Sequence, residues 1–103
     1  MTFNALRYTV VPMIKSVKCK YTKQLLEGGN PKKFRALKAQ AERKLEILDA
    51  AIKLLDLRSP PGNHLEALTG NRLGQYSIRI NKQWRICFSW SDGPCDVEIT
   101  DYH

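Results

Sequence analysis

Histidine is scarce in this sequence: His64 and His103 are the only two among 103 residues. Neither stands in an H-E-x-x-H pattern and no clustered carboxylates replace one, so the spacing argues for no catalytic metal, and no cofactor is expected. Cysteine is nearly as thin. Cys19, Cys87 and Cys95 are odd in number and show no C-x-x-C spacing, which argues against a disulfide scaffold or zinc site and for a reducing, cytoplasmic setting. No apolar run approaches the ~18 residues of a membrane helix. The opening MTFNALRYTVVP carries Arg7 in its middle and lacks the apolar core of a signal peptide. Low-complexity tracts are missing too. One folded domain without a membrane partner is therefore expected, since roughly 100 residues bury one core and not two.

Acidic residues are the third shortage. Ten Asp and Glu face 17 Lys and Arg, a formal net charge of +7 at pH 7. Such an excess attracts polyanions and leaves the fold open. On charge alone, nucleic acid, an acidic protein or an anionic surface would each fit.

What is present has a clear order. Met13 opens the strand-like MIKSVKCKY, so the domain is expected over residues 13–103, with residues 1–12 an N-terminal extension such as a start codon assigned too early would produce. A first strand is expected near 13–18, then a brief helix in YTKQLLEGGNP stopped by Gly28 and Gly29. Asn30 and Pro31 read as an N-cap followed by proline in the first turn of a second helix. Along it Phe34, Leu37, Ala41, Leu45, Leu48, Ile52 and Leu55 recur every three or four residues, one core face of an amphipathic helix. The outer face carries Lys38, Glu42, Arg43, Glu46 and Lys53, with Glu42 and Glu46 a like-charged pair one turn apart.

RSPPGNH ends that helix, because consecutive prolines remove donors and force an extended path. Beyond it the period changes to two. Tyr76, Ile78 and Ile80 point one way, Trp84, Ile86, Phe88 and Trp90 do the same, and Val97 and Ile99 follow after a turn at Asp92-Gly93-Pro94. Short turns make the three strands an antiparallel meander, half-buried against helices. The expected class is α+β: an N-terminal strand and a helical pair packed on one face of a small antiparallel twisted sheet.

The alternation has a consequence on the other face. With Asn81, Lys82 and Gln83 as the hairpin loop, Arg79 falls opposite Arg85, and like charges across a ladder repel. An anion would relieve them, and the planar fork of arginine suits phosphate; alternatively the long stems lie over the sheet with their heads in water. Arg72, in the glycine-flanked GNRLG, is placed to join them, and Asn81 and Lys82 at the hairpin tip complete a candidate substrate-binding set.

The sequence closes on Asp101, Tyr102 and His103. A terminus is often frayed, but in an extended one Asp101 and His103 share a side, and a carboxylate can orient an imidazole whose reference pKa near ~6.5 suits proton transfer. RNA offers a substrate with its own nucleophile. Cutting it needs a proton removed from the 2′-hydroxyl, a stabilised phosphate and a protonated 5′ oxygen. His103 and Glu66 are the candidates for protons, Arg85 with Arg72 or Arg79 for charge, and Tyr102 for positioning. Tyr76 and Trp84 could stack on bases, but they fall on the core face. His64 reads as a loop residue, and Cys87, on the arginine face without a base partner, does not read as a nucleophile.

Taken together, MIKSVKCKYTKQLLEG, ERKLEILDAA, DLRSPPGNHLEALTGNRLGQYSIRINKQWRICFSW and VEITDYH resemble the HigB-type toxins of bacterial toxin–antitoxin modules, the plasmid maintenance system killer proteins of the RelE/ParE superfamily. The likeness runs from Met13 to His103. It implies the compact α+β fold, a cytoplasmic endoribonuclease that cleaves mRNA in the ribosomal A site without a metal, and a HigA-type helix-turn-helix antitoxin through which alone operator DNA is bound. Position by position it assigns the family's strand arginine to Arg85, its turn arginine to Arg72, and its terminal acid, tyrosine and histidine to Asp101, Tyr102 and His103. Glu66 stands where some members have a histidine, Thr69 where a lysine occurs, and Asn81 where others carry an arginine. Two further readings stay open: a non-catalytic RNA- or protein-binding module indifferent to His103, and a ParE-like gyrase poison that leaves mRNA intact.

Overall fold

Period-two alternation builds the scaffold of the computed structural model, which describes residues 13–101. The N-terminal extension and the tail residues Tyr102 and His103 lie outside the described residues. Four antiparallel strands form one sheet in the order β1 (Glu66–Ala67), β2 (Tyr76–Arg79), β3 (Trp84–Trp90) and β4 (Pro94–Asp101). The meander therefore has the expected register: Ile78 pairs with Ile86 and Arg79 with Arg85 across the hairpin, and Ile86 pairs with Ile99 on the next strand. Ile78, Ile80, Ile86, Phe88, Val97 and Ile99 are buried on the inner face, with Tyr76, Trp84 and Trp90 packed at its margins. β1 is an addition to the expected meander. Two residues are too few to show a period, and the strand exists only because Glu66 and Ala67 find Ser77 and Tyr76 as partners.

The helical layer covers the inner face. Helix α1 (Lys20–Leu26) stops at glycines as expected. At Gly29 a Cβ would stand 2.8 Å from the Gln24 carbonyl oxygen, so the turn that closes α1 admits no side chain there. Thr22, wholly buried, accepts the Ile99 N–H at 3.1 Å and ties α1 to β4.

Three expectations are corrected. The first strand is reduced to a single parallel bridge, Val17 with Val97, held to β4 by the backbone bonds Lys15 N to Pro94 O, Lys18 N to Val97 O and Val97 N to Ser16 O. On either side, Ile14 N and Asp96 N go to the side chains of Asp49 and Ser16. Asn30 is not the N-cap. Pro31, extended at φ −62 and ψ 134, immediately precedes a 3-10 helix, Lys32–Leu37, which has no side-chain cap. The long amphipathic helix is likewise three pieces: that 3-10 turn, α2 (Lys38–Ala50) and a second 3-10 turn, Leu54–Arg58.

The break after α2 reassigns the core. Phe34, Leu37, Ala41, Leu45 and Leu48 are buried as their spacing predicts, but Ile52 and Leu55 are 55% and 63% exposed, and Ala51 and Leu57 are buried instead. Asp56 supplies the reason. Its Oδ2 accepts the backbone N–H groups of Lys53 at 2.9 Å and Ile52 at 3.0 Å, a local alternative that competes with continuing the helix.

Those bonds also leave a pH signature. The Lys53 N–H first, then the Ile52 N–H and the Lys53 charge, hold the Asp56 carboxyl below its ordinary value of 3.8. A depressed folded pKa stabilises fully above the unfolded value, and the gain drains away as pH falls through the lower, folded one. Thermal melts of Asp56→Asn between neutral pH and pH ~2 should therefore show a flatter acid limb than wild type. An unchanged limb would remove Asp56 from the account.

Candidate nucleic-acid site on the outer face of the sheet

Pairing across the four strands sets the outer face in rows. One row runs Glu66, Ser77, Cys87, Glu98; the next runs Arg79, Arg85, Thr100, and the neighbouring pair Trp84 and Asp101 has the parity of the inner face. The Arg79 and Arg85 side chains thus start from facing positions, and the structure resolves their repulsion by turning them apart. Arg79 Nε donates to the Asn81 carbonyl at 3.1 Å. Arg85 Nε donates to Ser77 Oγ at 2.7 Å and Nη2 to the His64 carbonyl oxygen at 2.6 Å.

Glu66 supplies an internal anion. Its Oε1 lies 3.6 Å from Arg85 Nη2, with the arginine side chain 12% exposed and the glutamate 55%. At that exposure the pair contributes about 0–1 kcal/mol to stability. Chemically, an exposed carboxylate able to take a proton stands beside a cation able to meet a phosphate.

Arg72 belongs to a different contact. The 3-10 turn Gly70–Arg72 presents it, and its Nη1 donates to Gln75 Oε1 at 3.0 Å and to Glu98 Oε1 at 3.3 Å. Both Arg72 and Arg85 act electrostatically on Cys87, yet burial outweighs them and pushes that thiol up from its ordinary 9.0. A thiol held protonated is a poor nucleophile, in keeping with the sequence reading.

The hairpin tip divides its work. Asn81 Oδ1 accepts the N–H groups of Gln83 at 2.8 Å and Trp84 at 2.9 Å, so this side chain closes the turn. Lys82 stands exposed beside it. Asp101 accepts from Gln83 Nε2 at 2.9 Å, so β4 delivers the last described residue to the end of the sheet where the arginine pair lies. Tyr102 and His103 fall outside the described residues, and among the described ones no three His, Cys, Asp or Glu side chains form a potential metal site. No described helix is long and apolar enough to cross a membrane.

Several contributors escaped the sequence reading. Ser77 and Glu98 share rows with Cys87, and the same alternation that faced Arg79 with Arg85 places them on this side. The His64 contribution left no signal, because it is a backbone carbonyl held at φ 45 and ψ 56. Tyr76 and Trp84 are held by the core: Tyr76 lies 6.2 Å from Phe88 and Trp84 meets Phe34 edge-on at 5.6 Å.

Comparison with known proteins places the chain among relatives. Toxin HigB-1 of Vibrio cholerae serotype O1 is 56% identical over 61 residues, covering 59% of this chain and 64% of that protein. An uncharacterized protein of Haemophilus influenzae is 41% identical over 61 residues, covering 59% of this chain and 60% of its own length. The alignments thus span less than two thirds of either curated relative. The family match reaches further: the model described as the RelE-like toxin of the type II toxin–antitoxin system HigB covers residues 15–103. Matched over nearly its whole length, the chain belongs to the HigB-like family of RelE-type toxins of type II toxin–antitoxin systems.

Proposed function

We propose that the protein is a ribosome-dependent mRNA endoribonuclease, the cytoplasmic toxin of a pair whose partner is a HigA-type helix-turn-helix antitoxin, with operator DNA reached only through that partner. The observation that carries this reading is the exposed Glu66 carboxylate beside the guanidinium of Arg85, whose side chain is mostly covered. In the reaction, the substrate's 2′-oxygen attacks the adjacent phosphorus and the 5′-oxygen departs. Glu66 takes the 2′-hydroxyl proton, Arg85 meets the charge that gathers on the phosphoryl oxygens, and His103 gives a proton to the leaving oxygen. The products are a 2′,3′-cyclic phosphate and a free 5′-hydroxyl. Asp101 and Tyr102 orient the terminal imidazole and the substrate, as the family resemblance implies, and Arg79, Lys82 and Arg72 attract the flanking phosphates, with Asn81 shaping the hairpin that carries them. The nucleophile comes from RNA itself, so this route assigns no step to a metal.

Induced expression followed by 5′-end mapping of transcripts tests the proposal. The wild type should arrest growth and cut within translated frames, and deletion of His103 should lower cutting by about 10²-fold or more, the range of a general acid–base group. Growth arrest with intact transcripts would point to the gyrase reading. Cleavage indifferent to His103 would refute the assigned proton donor.

A further inference from the structure

Arg85 is bonded by the sheet on one side and by a loop on the other, and that loop is built to a specification no surface role requires. The His64 carbonyl that accepts from Arg85 Nη2 at 2.6 Å can be aimed only by its own backbone. His64 adopts φ 45 and ψ 56, a left-handed conformation that a residue with a Cβ keeps only where its surroundings over-determine it. The over-determination comes from the residue before it. Asn63 is wholly buried, its Nδ2 donates to the carbonyls of Leu57 at 3.1 Å and Ser59 at 3.2 Å, and its Oδ1 accepts from Lys44 Nζ at 2.6 Å. Its backbone N–H reaches Pro60 O at 2.9 Å, and that of His64 reaches Pro61 O at 3.1 Å. Asn63 therefore closes the loop upon itself, and Lys44 fastens the closed loop to α2. Burial first, then the Arg43 charge, draws the Lys44 ammonium below its ordinary value, and the Asn63 amide oxygen is the partner its Nζ keeps there.

We propose that Asn63, fastened to α2 by Lys44, is a positioning residue for Arg85: the pair sets the His64 carbonyl that orients the guanidinium toward the substrate phosphate. The proposal rests on the reading of Arg85 as the charge-stabilising group. Without the ammonium, Asn63 Oδ1 is left buried and unpaired, the loop relaxes, and the carbonyl leaves its line to Nη2. A shift of about 1 Å at a reacting centre is enough to lower a rate by the order of 10²-fold.

The test follows the guanidinium and the reaction separately, on the full chain labelled with nitrogen-15. Rotation about the Arg85 Nε–Cζ bond is read from its Nη resonances in wild type, Lys44→Met, Lys44→Arg and Asn63→Ala, beside single-turnover cleavage of mRNA on programmed ribosomes. In Lys44→Met and Asn63→Ala the Arg85 rotation should quicken by about tenfold or more while that of Arg79 holds, and the single-turnover rate constant should fall roughly 10- to 100-fold with the half-saturating concentration unmoved. Lys44→Arg, which keeps a donor, should restore both. A purely structural latch would lower the melting temperature and leave Arg85 rotation as in wild type, and that result in folded Lys44→Met overturns the proposal. Should Asn63→Ala fail to fold, Lys44→Met decides alone. If the wild type cleaves no mRNA, the nuclease reading fails while the rotation measurement still judges the positioning.

Discussion

Arg85→Ala should slow mRNA cleavage by about 10²–10³-fold and relieve growth arrest, the effect of removing one preorganised donor from a developing charge. The side chain is 12% exposed, so its charge acts through a medium poorer in water than the surface, where each contact counts for more. Removal has a second cost. Ser77, wholly buried, loses the donor at 2.7 Å, and the His64 carbonyl loses its own at 2.6 Å, together a destabilisation of about 1–3 kcal/mol. Arg85→Lys separates the two effects, because it keeps the charge and surrenders the fork. Single-turnover cleavage and thermal melts should place it between wild type and alanine in rate and near wild type in stability. Full activity in a folded Arg85→Ala protein would end the mechanism proposed above.

Phe34→Ala should be the most damaging core change. Phe34 is wholly buried, meets Trp84 edge-on at 5.6 Å and 82°, and lies beneath the Lys33 ammonium at 5.8 Å from the ring centre. Truncating such a ring costs about 3–5 kcal/mol, against a total of roughly 5–15 kcal/mol for a domain of this size. At the lower figure the melting temperature falls by roughly 12 °C or more, and the steady-state amount of protein in cells should fall several-fold, because the unfolded fraction is cleared. Ile52→Ala is the informative contrast. Helical spacing puts Ile52 on the same face as Phe34, but it is 55% exposed, so its truncation should change stability by less than ~0.5 kcal/mol. Comparable losses at both positions would restore the continuous helix that the structure breaks.

That contrast shows where sequence reading is sound and where it stops. In β2 and β3 the alternation from Tyr76 to Trp90 fixes face and register together, because a slip of one residue would turn Ile78, Ile86 and Phe88 out of the core. The facing of Arg79 and Arg85 followed from the same constraint, and the structure pairs them. The helix past Ala50 failed for the opposite reason: spacing continued, but Asp56 offered the Ile52 and Lys53 N–H groups a nearer partner. Asn30 failed differently: the cap position went to Pro31, with no side-chain cap, and the turn that follows is 3-10.

The candidate site divides along the same line. Glu66 was legible as a candidate but not in its place on the sheet, whereas Arg72, Arg79 and Arg85 were legible from charge, turn glycines and strand parity, as was their convergence near one surface. Their partners were not. Glu98 reaches Arg72 from another strand, Asn63 and Lys44 meet across 19 positions of chain, and the His64 contact is a carbonyl that any residue possesses.

The sequence by itself determined the α+β class, the inner and outer faces of the sheet, the net positive charge and the family likeness, because each is a property of residue type and local period. Only the tertiary structure decided which arginine lies beside the Glu66 carboxylate, which is engaged by Glu98, and which loop aims a carbonyl at Arg85. Those outcomes depend on hydrogen bonds between distant segments, and a one-dimensional pattern holds no distance across space.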